Sequence, residues 1–90
     1  MKREPEFFGD AELDLLYLAR RLREALKVEK LLTEAGLDYM VQTGPYVSGF
    51  LIKRELTGAY FYVTAPDLSR AKEILSQRGY KPFNEQPGGG

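Results

Sequence analysis

The chain of 90 residues contains no cysteine and no histidine. Without cysteine there is no disulfide and no thiolate nucleophile, and the sequence gives secretion no support. The absence of both residue types also excludes catalytic triads and the common kinds of zinc site. Carboxylates could still act as general acids, but no pair of them stands out. We therefore expect a protein that is not an enzyme and that needs no cofactor and no metal.

The sequence also lacks a net charge, because thirteen lysines and arginines balance thirteen aspartates and glutamates. A protein that binds nucleic acid or an anionic membrane normally carries a long-range positive field, so neither partner is expected. No apolar run approaches the ~20 residues of a membrane span. The first eight residues, MKREPEFF, lack the apolar segment of a signal peptide. Together these absences predict a soluble, cytoplasmic domain.

The stretch from Gly58 to Gly79 is predicted as a strand followed by a helix, and the segments before it are expected to pack against this unit. Its first residues alternate between two sets, which predicts a strand with three side chains on each face: Ala59, Phe61 and Val63 against Tyr60, Tyr62 and Thr64. Pro66 and Asp67 then mark the start of a helix, either with Pro66 at its first position or with Asp67 as its cap. Apolar residues follow at helical spacing, and Gly79 predicts the end of the helix.

Two upstream segments precede this unit. From Asp10 to Ala19 the pattern is compatible with a strand that is apolar on both faces over its second half, or with a helix continuous with the next segment. From Arg20 to Ala35 the apolar arc predicts a helix, which Gly36 ends. Glu29 lies within that arc and is either a buried functional acid or a side chain that reaches water at the edge of the arc.

Shorter elements complete the predicted order. Leu37–Thr43 is predicted as a second strand, Gly44–Gly49 as a turn-rich loop with Tyr46 at its tip, and Phe50–Arg54 as a short extended segment. Glu55–Gly58 is predicted as a turn. Tyr80–Phe83 is a candidate last strand, which Pro82 would confine to a sheet edge.

These segments define one domain with two tails. Residues 1–9 are predicted to be a flexible N-terminal arm, residues 10–83 the folded domain, and residues 84–90 a flexible glycine-rich tail. A single domain of this length can bury a modest core.

Several of these residues match a known pattern. The runs LYLARRLREALKVEKLLTEAGLDYMV and GAYFYVTAPDLSRAKEIL resemble the small bacterial domains described as prokaryotic signal-transducing proteins. The resemblance extends over about residues 13–79 and is carried by the following positions: Tyr17, Ala19, Glu24, Ala25, Leu31, Leu32, Ala35, Gly36, Val63, Pro66, Asp67, Ala71 and Leu75.

That resemblance implies a ferredoxin-like β-α-β-β-α-β sandwich, related in outline to the PII-type regulators, with a strand at residues 13–19. Its antiparallel sheet would have the order 4-1-3-2, with two helices on one face. It also implies a non-catalytic regulatory or signal-transducing role, and supplies no catalytic residues.

In such a fold the opposite face of the sheet would carry Tyr60 and Tyr62, and an open face with two tyrosines is a surface that something covers. Neighbouring strands would add Tyr39 or Met40, and Lys53 or Arg54, according to register. We therefore predict that Tyr60, Tyr62, Arg54 and Tyr46 contact a small ligand or a protein partner. The alternative is that the same face holds two subunits together in a homodimer.

Overall fold

The computed structural model describes residues 1–48 and 54–82, and the side chains of all of these except Ser48 and Arg54. In chain order the elements are helix α1 (Pro5–Phe8), strand β1 (Leu13–Ala19), helix α2 (Leu22–Glu34), strand β2 (Met40–Ser48), strand β3 (Arg54–Thr64) and helix α3 (Ala65–Gln77). The predicted α+β class is confirmed. Within the described ranges no helix combines the length and the apolar character needed to cross a membrane.

Strand β1 lies in the segment from Asp10 to Ala19, whose periodicity is compatible with a strand or with a helix. It pairs antiparallel with β3, and the register shifts between Leu15 and Tyr17. The extra residue, Leu16, is fully buried, and Tyr17 is only 7% exposed. A β-bulge interrupts the two-residue alternation of a strand. This explains why consecutive residues of β1 are apolar although the segment is not a helix.

The three strands form one antiparallel sheet in the order β1-β3-β2. This is the order that strands 1, 3 and 2 have in the predicted four-stranded sheet. Tyr80, Lys81 and Pro82 form no strand, and Phe83 lies outside the described residues. The sheet of the described part of the chain therefore has three strands.

Strands β2 and β3 are longer than the sequence predicts, and the predictions of a loop at Gly44–Gly49 and a turn at Glu55–Gly58 are wrong. The two strands pair continuously from Met40 opposite Tyr62 to Ser48 opposite Arg54. Gly44 lies opposite Gly58, and neighbouring side chains cover both glycines. Because β2 is at the edge of the sheet, Pro45 is tolerated within it. Gly49 and most of the predicted extended segment, residues 50–53, lie outside the described residues.

Both long helices end as the sequence predicts. Gly36 and Gly79 follow the last turns with φ angles of +77° and +85°. After α2, the amide of Leu37 bonds the carbonyl of Leu32 at 3.0 Å, and after α3 the amide of Tyr80 bonds the carbonyl of Leu75 at 3.0 Å. Glycine adopts this left-handed conformation without the steric penalty of a Cβ atom. At its start, α3 has Thr64 as N-cap and Pro66 in its first turn.

The core lies between the helices and one face of the sheet. Phe61 and Val63 of β3 are fully buried there, and side chains of α2 and α3 pack in the same cluster: Ala25, Val28, Leu32, Ala71 and Leu75. Both helices therefore cover the face that carries Phe61, as predicted, and leave the face that carries Tyr60 and Tyr62 without a helix.

The N-terminal arm contacts the start of β2. The amide of Arg3 donates to the carbonyl of Tyr39 at 2.8 Å, and the amide of Tyr39 donates to the carbonyl of Met1 at 3.1 Å. Arg3 also pairs with Asp38 at 2.8 Å and places its guanidinium 4.3 Å from the centre of the Phe7 ring. The flexibility predicted for residues 1–9 and 84–90 stays a prediction.

Candidate functional site

The uncovered side of the sheet, which we call the open face, follows from strand register. Side chains opposite each other in an antiparallel pair lie on the same face. Starting from Tyr60 and Tyr62, the pairing places the following residues on the open face: Leu13, Leu15 and Leu18 of β1, Met40, Gln42, Gly44 and Tyr46 of β2, and Leu56, Gly58, Tyr60, Tyr62 and Thr64 of β3.

The open face is largely apolar and only partly shielded from water. Its eight large side chains are all of intermediate exposure. None of the eight belongs to the core cluster or to the partly buried residues packed against it. Its polar groups are the tyrosine hydroxyls and the side chains of Gln42 and Thr64. A contiguous apolar surface of this kind is typical of an interaction site.

One end of the open face is built around Gly58. A Cβ atom on this residue would come within 2.8 Å of Leu18 Cδ1 and 3.1 Å of Tyr46 Cδ1. The Tyr46 ring and the Leu18 side chain therefore both lie over the glycine. The guanidinium of Arg20 lies 5.4 Å from the centre of the Tyr46 ring, within range of a cation–π interaction. The missing side chain of Gly58 is thus what allows these groups to form one surface.

The Tyr60 ring is fixed in a similar way. It lies against Gly44, where a Cβ atom would be 3.4 Å from Tyr60 Cε2. Its hydroxyl donates to the carbonyl oxygen of Pro45 at 2.7 Å. Tyr62, one pair further along, lies between Leu15 and Met40 in the register of the sheet. Tyr60 consequently presents a fixed ring at the middle of the open face, and Tyr62 lies beside it on the same strand.

Three of the four predicted contact residues share this surface: Tyr46, Tyr60 and Tyr62. The backbone of Arg54 begins β3 opposite Ser48, and its side chain lies outside the described part of the chain. The register also decides between the two candidates on β2, because Met40 pairs with Tyr62 while Tyr39 is 1% exposed in the core.

Sequence reasoning missed the leucines of the open face. Leu13, Leu15 and Leu18 share a face only because the bulge at Leu16 shifts the alternation between Leu15 and Leu18. The consecutive apolar positions of β1 were a signal that the strand is apolar on both sides, but they did not show which leucine belongs to which side. Leu56 was missed because its segment was predicted as a turn.

The other candidate acids do not form a site. The carboxylate of Glu29 lies 4.0 Å from Lys2 Nζ and its side chain is 25% exposed, so it reaches the surface at the edge of the apolar arc. In the described part of the chain no three acidic side chains lie close enough together to hold a metal ion.

Two buried tyrosines hold the helices against the sheet. Tyr17 donates to Glu24 Oε2 at 2.5 Å, and the other oxygen of Glu24 accepts the Arg20 amide at 3.0 Å. Burial, reinforced by the bond to Glu24, raises the pKa of the Tyr17 hydroxyl far above its ordinary value. Burial likewise raises the pKa of Tyr39, whose hydroxyl contacts Thr33 Oγ1 at 3.0 Å. Both hydroxyls are therefore neutral donors at ordinary pH, with structural roles.

Comparison of the chain with family models, with curated proteins and with solved structures finds no match in any of the three.

Proposed function

We propose that this protein is a non-catalytic regulatory or signal-transducing module that binds its partner through the open face of the sheet. The observation that supports this most directly is the set of eight large, partly exposed side chains on that face, which take no part in the core. Leaving apolar surface in water is unfavourable by roughly 25 cal/mol per Å². A partner that covers the face recovers this free energy.

The chemistry of the open face favours a protein partner over a small ligand. Small molecules bind in concave pockets with a few convergent polar groups. Among the described side chains, the open face offers three tyrosines, four leucines and one methionine, and its polar groups are the tyrosine hydroxyls, Gln42 and Thr64. Tyrosine and methionine are enriched in protein interfaces. A small ligand is the second candidate, at the end of the open face where the Arg20 guanidinium lies 5.4 Å from the centre of the Tyr46 ring.

The regulatory role rests on the resemblance to small bacterial signal-transducing domains. The strand order β1-β3-β2 supports the ferredoxin-like fold that this resemblance implies. The alternative function is structural, with the open face joining two copies of the chain in a homodimer.

The test is a native mass spectrum of the purified protein beside that of the double variant Tyr60→Ser with Tyr62→Ser. We expect the wild-type protein to carry a partner protein, a second copy or a bound ligand, and the variant to appear as the bare chain. Phe7→Ser is the matched control, because Phe7 is also a large exposed aromatic but lies on the arm. Circular dichroism establishes that each variant is folded.

Two results would contradict the proposal. One is a wild-type spectrum and a double-variant spectrum that show the same species while both proteins are folded. The other is turnover of a substrate by the purified protein without a cofactor. A dimer that dissociates in the double variant, with no other bound mass, would instead support the structural alternative.

A further inference from the structure

A second surface of the protein concentrates positive charge. Three adjoining depressions, with volumes of about 330, 400 and 480 Å³, share Tyr80 in their lining, and we call them together the basic groove. The segment that leads into and along α2 contributes Arg20, Arg21, Arg23, Lys27 and Lys30.

The far side of the groove adds two more cations, Arg78 and Lys81, from the residues that follow α3. Seven of the thirteen lysines and arginines therefore line this one surface, against two carboxylates, Glu24 and Glu34. Because the whole chain has no net charge, this is a local segregation of charge and not a general property of the protein.

The arrangement along α2 is unfavourable for the isolated fold. Arg23, Lys27 and Lys30 follow each other at spacings of four and three residues, which places like charges beside each other on one side of the helix. Arg23 also lies in the first turn, near the positive end of the helix dipole. Neither feature improves the packing of the core. An anion in the groove would relieve both.

Hydrogen bonds and an aromatic contact hold the walls of the groove in place. Both oxygens of Glu24 accept hydrogen bonds, from Tyr17 and from the Arg20 amide. The Tyr80 ring packs edge-to-face on Tyr17 with 5.9 Å between the centroids, and its amide is bonded to Leu75. Within the described residues the ion pairs at 4.0 Å or less involve only Met1, Lys2 and Arg3 as cations. The cations of the groove are thus available to a ligand, apart from Arg20, whose guanidinium lies near the Tyr46 ring.

We propose that the basic groove binds a small molecule that carries two or more phosphate groups. Guanidinium groups match phosphate oxygens in a bidentate geometry, and lysines add point charges. From Arg23 to Lys30 the cations extend over about 10 Å of helix, too far for one phosphate to contact. The absence of a net charge argues against a nucleic acid, whose binding draws on a long-range positive field. This inference does not depend on the function proposed for the open face.

The experiment is a titration of the full-length protein with inorganic pyrophosphate at 100 mM salt, followed by amide chemical shifts. We expect saturable shifts confined to residues 20–34 and 78–81. The variant R23Q with K27Q should weaken binding at least about tenfold, because two charge-assisted hydrogen bonds are lost. The control R70Q with K72Q removes the same charge from α3, outside the groove, and should change the affinity by less than about twofold.

Titrations with other ligands identify the ligand class. Binding of ADP more tightly than pyrophosphate assigns the groove to a nucleotide, and equal binding assigns it to free oligophosphate; both support the proposal. No saturable shift with millimolar pyrophosphate would overturn it. The proposal would also be overturned if both double variants bound pyrophosphate equally weakly, or if the protein bound citrate as tightly as pyrophosphate. Binding of single-stranded RNA at the groove without binding of pyrophosphate would overturn it as well.

Discussion

At the scale of single residues, Tyr17 connects the most elements. It lies in β1, donates to Glu24 of α2 and packs on Tyr80 beyond the end of α3. Its hydroxyl is removed from water, and this burial is the main reason that its pKa is raised. The neutral hydroxyl is therefore a requirement of the folded state. The same holds to a lesser degree for Tyr39.

This requirement predicts how stability depends on pH. A tyrosine whose pKa is raised on folding stabilises the protein fully below its ordinary pKa of about 10, and the stabilisation is lost as the pH rises above that value. For Tyr17→Phe we expect about 1–2 kcal/mol lower stability at pH 7, since one hydrogen bond to a carboxylate is lost. Above pH 10 the variant should lose stability less steeply than the wild-type protein.

Urea unfolding at pH 7, 9, 10 and 11 measures this difference. The control is Tyr46→Phe, because Tyr46 is a partly exposed tyrosine on the open face. If the free energies of unfolding of the wild-type protein and of Tyr17→Phe change in parallel from pH 7 to pH 11, the Tyr17 hydroxyl is not shielded in the folded protein.

At the scale of elements, the packing of β1 and β2 against β3 depends on close contacts at glycine. A Cβ atom on Gly58 would meet Leu18 Cδ1 at 2.8 Å and the backbone oxygen of Ala19 at 3.0 Å. The oxygen belongs to the neighbouring strand and has little freedom to move. A Cβ atom on Gly44 would meet only ring atoms of Tyr60, at 3.4 Å and beyond, which is an ordinary contact.

The two glycines therefore form a matched pair of test positions. We expect Gly58→Ala to destabilise the protein by about 1–3 kcal/mol, because the extra methyl overpacks the junction of β1 with β3. Gly44→Ala should be close to neutral, since alanine replaces glycine in a strand without a clash. Thermal unfolding distinguishes them, with about 4–8 °C expected per kcal/mol for a domain of this size. Equal melting temperatures for the two variants would contradict this account of Gly58.

The same glycines show what the sequence allows one to predict and what it does not. Gly36 and Gly79 were identified as helix ends because their effect is local, a left-handed residue directly after a helix. Gly44 and Gly58 were taken for loop residues because their cover comes from Leu18, Tyr46 and Tyr60. Those contacts depend on the pairing of strands that are distant in sequence, which no local pattern contains.

The candidate site is likewise predictable from the sequence only in part. Alternation within one strand was enough to place Tyr60 and Tyr62 on one face. Adding Leu13, Leu15 and Leu18 required the register between β1 and β3, with its bulge at Leu16. The basic groove does not follow from the net charge of the chain, which is zero. The cations of α2 and those after α3 come together through the packing of the two helices.

At the scale of the whole molecule, the helices cover one face of the sheet and the described residues leave the other face open. The covered face holds the core, and the helical side also carries the basic groove. The open face holds eight large side chains that contribute nothing to the core. The central claim is that another molecule covers this open face when the protein is at work.

Hydroxyl-radical footprinting tests that claim most directly, with dilute purified protein compared with the same protein inside the cells that make it. The readout is the oxidation of Met40, Tyr60 and Tyr62 relative to that of Phe7, which is 53% exposed on the arm. We predict that this ratio is several-fold lower in cells, because a partner excludes water from the open face. A ratio that is the same in cells and in dilute solution would contradict the proposal that the open face is a binding surface.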